Sequence, residues 1–237
     1  KNYLLNEASL HNIKFKMVDS FNNGEIKYLG ELCLDFIIVF SFGILLPSKI
    51  LNIPRYGCVN IHTSLLPKWR GASPVQHALL NNEKKTGFTF IIMNEKLDEG
   101  DILHKEEVMI KQSDNYFTLL NKITNIACNN LVNKLEHFAN NRINLVKQDN
   151  KKASYCYKIS KKHTYITFDK PAFKIVGQIR AFAPTPGAKF FLKGELIKIL
   201  EARVERENEQ NKVYGIVVDA NLLIACKTGF IRIIRIQ

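Results

Sequence analysis

The sequence predicts an α/β domain with a mostly parallel sheet over residues 1–146, a linker at 147–153, and a small β-barrel domain over 154–237. Three observations carry this reading. Asp35 to Ser41 is a continuous apolar run, the pattern of a strand buried on both faces of a parallel sheet. Helical and extended patterns alternate from there to about residue 141, as in α/β domains. Beyond residue 153 the texture changes to short strands separated by turn residues, which suits a small barrel.

The elements follow in order. Residues 2–12 read as a helix and Ile13 to Val18 as a short strand. Asn22, Asn23 and Gly24 mark a turn, and Glu25 to Leu34 a helix. After the strand at 35–41, Pro47 to Asn52 is a short helix and Gly57 to His62 the next strand. Ser73 and Pro74 open a helix as cap and first helical residue, running to about Asn81. Thr86–Asn94 and Ile102–Ile110 are strands with a polar turn between them. Ser113 to Asn141 is a long amphipathic helix, with Phe117, Leu120, Ile123, Ala127, Leu131, Leu135 and Phe138 spaced by three and four. In the second domain Pro171–Ala183 is a helix, and strands are expected at 190–192, 196–204, 214–219, 222–226 and 230–236.

Composition bounds the function. The longest apolar run, Phe36 to Pro47, is broken by Ser41 and Gly43 and falls well short of the roughly 18 residues of a membrane span. Five scattered cysteines without metal or redox spacing read as reduced thiols, placing the chain in a reducing compartment. The opening on Lys1 inside a helical pattern, without an initiator Met, reads as a fragment. Residues 1–150 hold 17 Lys/Arg against 15 Asp/Glu; residues 151–237 hold 17 against 7. A nearly neutral first part followed by a net charge of +10 points to chemistry in one and a polyanion in the other. A lysine-rich composition alone gives the bland alternative of a solvated basic surface.

The chemistry gathers in two stretches, Asn60 to Gly71 and Leu97 to Asp101. Strand alternation puts Asn60 and His62 on one face at the end of a strand, where α/β sheets bind ligands. An amide N–H stabilises a developing oxyanion, which assigns Asn60. An imidazole can take a proton from an attacking amine and return it to a leaving nitrogen, which assigns His62. Asp98, in a tight turn, orients the imidazole or an ordered water. Together these parts suit acyl transfer to an amine. Each has a bland reading as well: a structural histidine, a turn-forming aspartate, a loop with two buried leucines. No cluster has metal-ligand spacing and no Gly-rich phosphate loop occurs.

Asn60-x-His62, the run Ser64-Leu65-Leu66-Pro67 with Trp69, Arg70 and Gly71 after it, and Leu97-Asp98-x-Gly100-Asp101 closely resemble the folate-dependent formyltransferases. The resemblance implies a Rossmann-like catalytic domain in which Asn60, His62 and Asp98 form the catalytic set. It implies that Ser64, Leu65, Leu66 and Pro67 line the site of the donor, 10-formyltetrahydrofolate, with Gly43 and Leu46 in the segment walling that pocket. No metal is implied. Tyr157 to Lys161 and Ile179 to Ala188 resemble the branch of the family that formylates methionyl-initiator-tRNA, whose OB-like C-terminal domain contacts tRNA. By proximity to these motifs Lys158, Lys161, Lys162, Arg180 and Lys189 are the candidates for tRNA contact. Thr63 and Thr185 depart from the family pattern. The resemblance also implies a strand–helix–strand unit before residue 1, further chain after residue 237, and a monomer. Two alternatives stay open: a nucleotide-sugar amine formyltransferase, and a non-catalytic RNA-binding relative.

Overall fold

The computed structural model describes residues 3–237. Residues 3–10 form α1 (Tyr3–Leu10); the remainder of the helix expected at its start lies outside the described residues. Residues 13–18 form no strand, since no neighbouring strand pairs with them, and Ile13, Phe15 and Met17 are exposed. Asn22 is not a free turn but the cap of α2 (Asn23–Glu31): its side chain accepts from the Gly24 and Glu25 amides, and Glu25 accepts in return from the Asn22 amide. That reciprocal pairing satisfies donors a helix start leaves orphaned, which is why the helix begins two residues early.

The first sheet contains β1 (Ile37–Val39), β2 (Cys58–His62), β4 (Lys85–Ile92) and β5 (Asp101–Met109), adjacent in that order. The parallel character expected of the sheet is confined, among the described strands, to the β1–β2 pair; β2–β4 and β4–β5 are antiparallel. For β4–β5 the reason is local: the short polar turn around Asp98 joins them as a hairpin, and parallel pairing would need a long crossover. Nor is β1 buried on both faces, for Ile38 and Phe40 are exposed while Val39 is buried.

α3 (Ser48–Leu51) follows β1, and the two-residue β3 (Arg70–Gly71) pairs in parallel with β6 (Tyr155–Cys156). α4 (Pro74–Leu80) starts with Pro74 at its first turn as expected, but the Ser73 side chain makes no capping bond. Instead the Ser73 carbonyl accepts from His77 Nδ1 at 2.9 Å. α5 (Tyr116–Ala139) is capped reciprocally by Asn115 and Thr118 and buries Leu119, Ile123 and Ala127. No described helix is long and apolar enough to cross a membrane.

α6 (Ala172–Phe182) precedes an antiparallel sheet of β7 (Ala188–Leu192), β8 (Glu195–Gln210), β10 (Thr228–Ile236) and β9 (Leu223–Ala225), adjacent in that order. The β8–β10 ladder carries four register shifts, which bend and twist the sheet in a barrel-like manner. The strand expected at 214–219 reduces to a bridge between Val217 and Ile224, because Gly215 (φ +78°) breaks the extended run. α6 lies so close to α4 that a Cβ on Gly177 would meet the Leu79 carbonyl oxygen at 2.9 Å. One apolar cluster therefore runs from Val59, Phe88 and Phe90 through Leu79 and Ile123 to Ile175, Ile179, Phe182 and Ile231.

Candidate active site

A cleft of about 880 Å³ opens at the carboxyl ends of β1 and β2. Its walls include Phe40, Phe42, Gly43, Ile44 and Leu45 on one side and Gly71 to Gln76 on the other, with Asn60, His62 and Asp98 among its lining residues. Tyr116, Leu120, Lys158 and Ile159 also line it. The size suits a ligand larger than a simple metabolite, and the mixture of apolar walls with few polar groups is that of a small-molecule site.

The three residues expected to act together converge. Asn60 and His62 share a face of β2 because strand side chains alternate. Asn60 Nδ2 donates to Asp98 Oδ1 at 3.1 Å, and the Gly71 amide donates to Asp98 Oδ2 at 2.8 Å. His62 Nδ1 faces Asp98 Oδ2 at 3.6 Å, an electrostatic approach rather than a hydrogen bond. The side chains of His62 and Asp98 are only 6% and 11% exposed, so water screens this approach weakly. The opposite ring nitrogen, Nε2, lies 2.8 Å from the Trp69 carbonyl oxygen. A carbonyl only accepts, so Nε2 carries a proton, and Nδ1 beside the Asp98 carboxylate is the nitrogen left to exchange one.

Asp98 stands at φ +52°, a left-handed conformation that aspartate tolerates better than most residues. The surrounding loop is held from a distance in sequence. Gln148 Nε2 donates to the Asp98 and Gly100 carbonyls, each at 2.8 Å. Gln148 Oε1 accepts from Arg70 Nε at 3.1 Å and from an Arg70 terminal nitrogen at 2.8 Å. Arg70, 1% exposed, also donates to Asn150 at 2.7 Å and pairs with Glu99 at 3.3 Å. Residues 147–153, expected as a linker, thus pack on the site through Gln148 and Asn150. The sequence offered no signal for this beyond polar side chains in a short stretch.

Trp69 is fixed just as firmly. Its amide donates to Ser154 Oγ at 3.0 Å and its indole to Glu83 at 2.8 Å, while His77 lies 5.4 Å away, ring to ring. His77 is buried, and burial lowers its pKa below the ordinary range against an opposing hydrogen bond to Ser73. Cys156 is buried, its thiol donating to the Trp69 carbonyl at 3.3 Å and accepting from the Ser73 amide at 3.4 Å. Burial pushes its thiol pKa up and the Asp98 charge adds to this, so it stays a neutral thiol rather than a nucleophile.

The remaining candidates are placed unevenly. Gly43 lines the cleft, whereas Leu46 and Ser64–Pro67 are absent from its lining. Ser64 and Leu66 are fully buried beneath it: Thr89 Oγ1 donates to the Ser64 carbonyl at 2.7 Å and accepts from the Leu66 amide at 3.0 Å. Leu65 packs over Gly87. Ser64 and Leu66 thus belong to the interior, while Leu65 and Pro67 are half-buried. Lys158 lines the cleft, and Lys158, Lys161 and Lys162 are exposed; Lys189 is half-buried. Arg180 is not a free cation: it donates to the Asp114 carbonyl at 2.7 Å and the Lys111 carbonyl at 2.6 Å, stapling α6 to the start of α5. Burial lowers its pKa, with Asp114 opposing. Among the described residues no group of three or more His, Cys, Asp or Glu could hold a metal ion.

An amide, an imidazole and a carboxylate meeting in a large cleft are the groups that acyl transfer calls for. Family comparison agrees. Residues 6–135 match the formyl transferase model and residues 158–237 match the model for the formyl transferase C-terminal domain. The chain belongs to the formyl transferase family. It is 37% identical over 233 residues to the methionyl-tRNA formyltransferase of Pelagibacter ubique, covering 97% of this chain and 74% of that protein. It is 38% identical over 212 residues to that of Francisella tularensis subsp. holarctica, covering 88% of this chain and 66% of that protein. Among solved structures it resembles in fold an N-formyltransferase from Helicobacter canadensis in complex with folinic acid and dTDP-3-aminofucose, with TM-score 0.73 and 20% identity, covering 97% of this chain and 81% of the other.

Proposed function

We propose that this chain transfers the formyl group of 10-formyltetrahydrofolate to the amino group of methionyl-initiator-tRNA, with residues 1–146 as the catalytic part and 154–237 as the part that holds tRNA. The observation that carries the reading is the meeting of Asn60, His62 and Asp98 in one cleft. Formyl-tetrahydrofolate is the natural donor for a formyl transferase, and the apolar wall of Phe40, Phe42 and Leu45 fits a flat heteroaromatic ring.

In the reaction the amine nitrogen attacks the formyl carbon, a C–N bond forms, and the C–N bond to the folate nitrogen breaks. Asn60 uses one of its two N–H groups on Asp98, which leaves the other for the oxygen that becomes negative. His62 Nδ1 takes the proton that the amine loses and returns it to the departing folate nitrogen. The imidazolium formed in between lies against Asp98, whose other partners keep it in place. Lys158 lines the cleft and Lys161 and Lys162 are exposed close by in the chain, so phosphate contacts to them would guide a tRNA end inward. The proposed setting is a bacterial cytoplasm and the proposed state a monomer.

A second reading, formylation of a nucleotide-linked amino sugar, draws on the likeness in fold to the H. canadensis enzyme. The sequence relatives at 37–38% identity favour tRNA. Offered methionyl-tRNA and a dTDP-amino sugar separately, the whole protein is expected to turn over the tRNA. Turnover of the sugar alone would replace this reading with the second. Tight tRNA binding without turnover of either would point to a non-catalytic RNA-binding protein.

A further inference from the structure

We infer that Gln148 is a positioning residue for Asp98, and that the stretch between the two family-matched regions is a strap holding the catalytic loop in its reactive shape. The inference rests on the proposed catalytic role of Asp98. Four features of the structure carry it.

First, Asp98 occupies a left-handed backbone conformation, a minority state even for aspartate, which contacts on the turn help to hold. Second, both donors of the Gln148 amide are used on carbonyls that flank Glu99, those of Asp98 and Gly100. One side chain therefore spans the turn that sets the Asp98 direction. Third, the amide cannot flip. Its oxygen accepts two bonds from the Arg70 guanidinium, a group with donors only, so rotation would set donors against donors. Fourth, Arg70 is itself immobile, buried and held by Asn150 and Glu99. The next residue, Gly71, donates its amide to the Asp98 carboxylate. Arg70 and Gly71 thus hold Asp98 twice, through the backbone by way of Gln148 and through the side chain directly. Positioning of this kind acts on the rate, because displacement of a catalytic group by about 1 Å can cost about 10²-fold.

The test uses the whole protein, methionyl-tRNA and 10-formyltetrahydrofolate, and separates kcat from KM. Gln148→Glu keeps an oxygen for Arg70 but turns acceptors onto the two carbonyls. Gln148→Ala removes the group outright and reads the same quantity if the glutamate is not tolerated. Asn150→Ala removes a partner of Arg70 without touching the turn, and Asp98→Asn tests the reading beneath. The expected result is a kcat lowered about 10–100-fold in both Gln148 variants, KM for either substrate within about threefold of wild type, and a smaller loss in Asn150→Ala, which removes only one of the contacts on Arg70. A Gln148→Glu enzyme with wild-type kcat beside an inactive Asp98→Asn overturns the strap alone. Equal loss in Asn150→Ala also overturns it, since the effect would then come from unsettling Arg70. An active Asp98→Asn overturns the catalytic reading and the strap with it.

Discussion

Gly71→Ala joins fold and site in one perturbation. Gly71 stands at φ +114°, a region that side-chain-bearing residues rarely adopt, and it pairs with Cys156 between β3 and β6. An added Cβ would lie 2.2 Å from the Cys156 carbonyl oxygen, far inside the 3.4 Å at which ordinary contact begins. The obstacle is backbone, so no side chain can swing away. Strain at a disallowed φ costs about 1–3 kcal/mol. Forcing atoms into a packed interior costs about 1–3 kcal/mol more. The sum, about 2–6 kcal/mol, is a large share of the stability of an ordinary domain. In urea, with a slope of about 2 kcal/mol per molar, the unfolding midpoint should fall by at least about 1 M. Because the Gly71 amide holds Asp98, kcat should fall at least about tenfold under conditions where the variant is still folded. A Gly71→Ala protein with the wild-type midpoint and rate would refute the description of this corner.

Other consequences follow from the same geometry. Arg180→Ala should lower stability by about 2–4 kcal/mol, from two charge-assisted bonds to carbonyls, and leave KM for tRNA unchanged; urea unfolding and steady-state kinetics read the two parts. Burial holds His77 and His104 below their ordinary value of 6.5, against opposing contacts to Ser73 and Glu106, with the charges of His163 and Lys134 adding to the lowering. The unfolded chain then takes up these protons before the folded chain, so their contribution is fully present above about pH 6.5 and is lost on acidification below it. Unfolding midpoints at pH 7.5 and pH 5 should show the fall, and His77→Phe should reduce it. If Lys158, Lys161 and Lys162 meet phosphate, replacing each with Ala should lessen the log–log salt slope of tRNA binding by about 0.7–0.9.

The convergence of Asn60, His62 and Asp98 was legible because it depends on local pattern. Asn60 and His62 announce a shared face by their spacing on an apolar strand, and the turn at Asp98 announces itself by composition. The helices Ser48–Leu51, Tyr116–Ala139 and Ala172–Phe182 were legible for the same reason. What escaped depends on partners distant in the chain. The turn-like Asn22 became a cap because Glu25 reaches back to it. Residues 13–18 have strand composition but no strand beside them, and composition cannot supply a partner. Arg180 looked like a cation for tRNA until its place against Lys111 and Asp114 showed its donors engaged. Gln148 lies 50 residues from the loop it holds, and only the fold brings the two together.

The most direct test of the central claim is single-turnover formylation by the whole protein and its His62→Ala variant. Methionyl-tRNA and 10-formyltetrahydrofolate are supplied, and formyl-methionine is measured after deacylation. His62 as the proton shuttle predicts turnover in the wild-type protein and a rate lower by about 10²–10⁴-fold in the variant, with tRNA binding retained. An unchanged rate in His62→Ala would contradict the account at its centre.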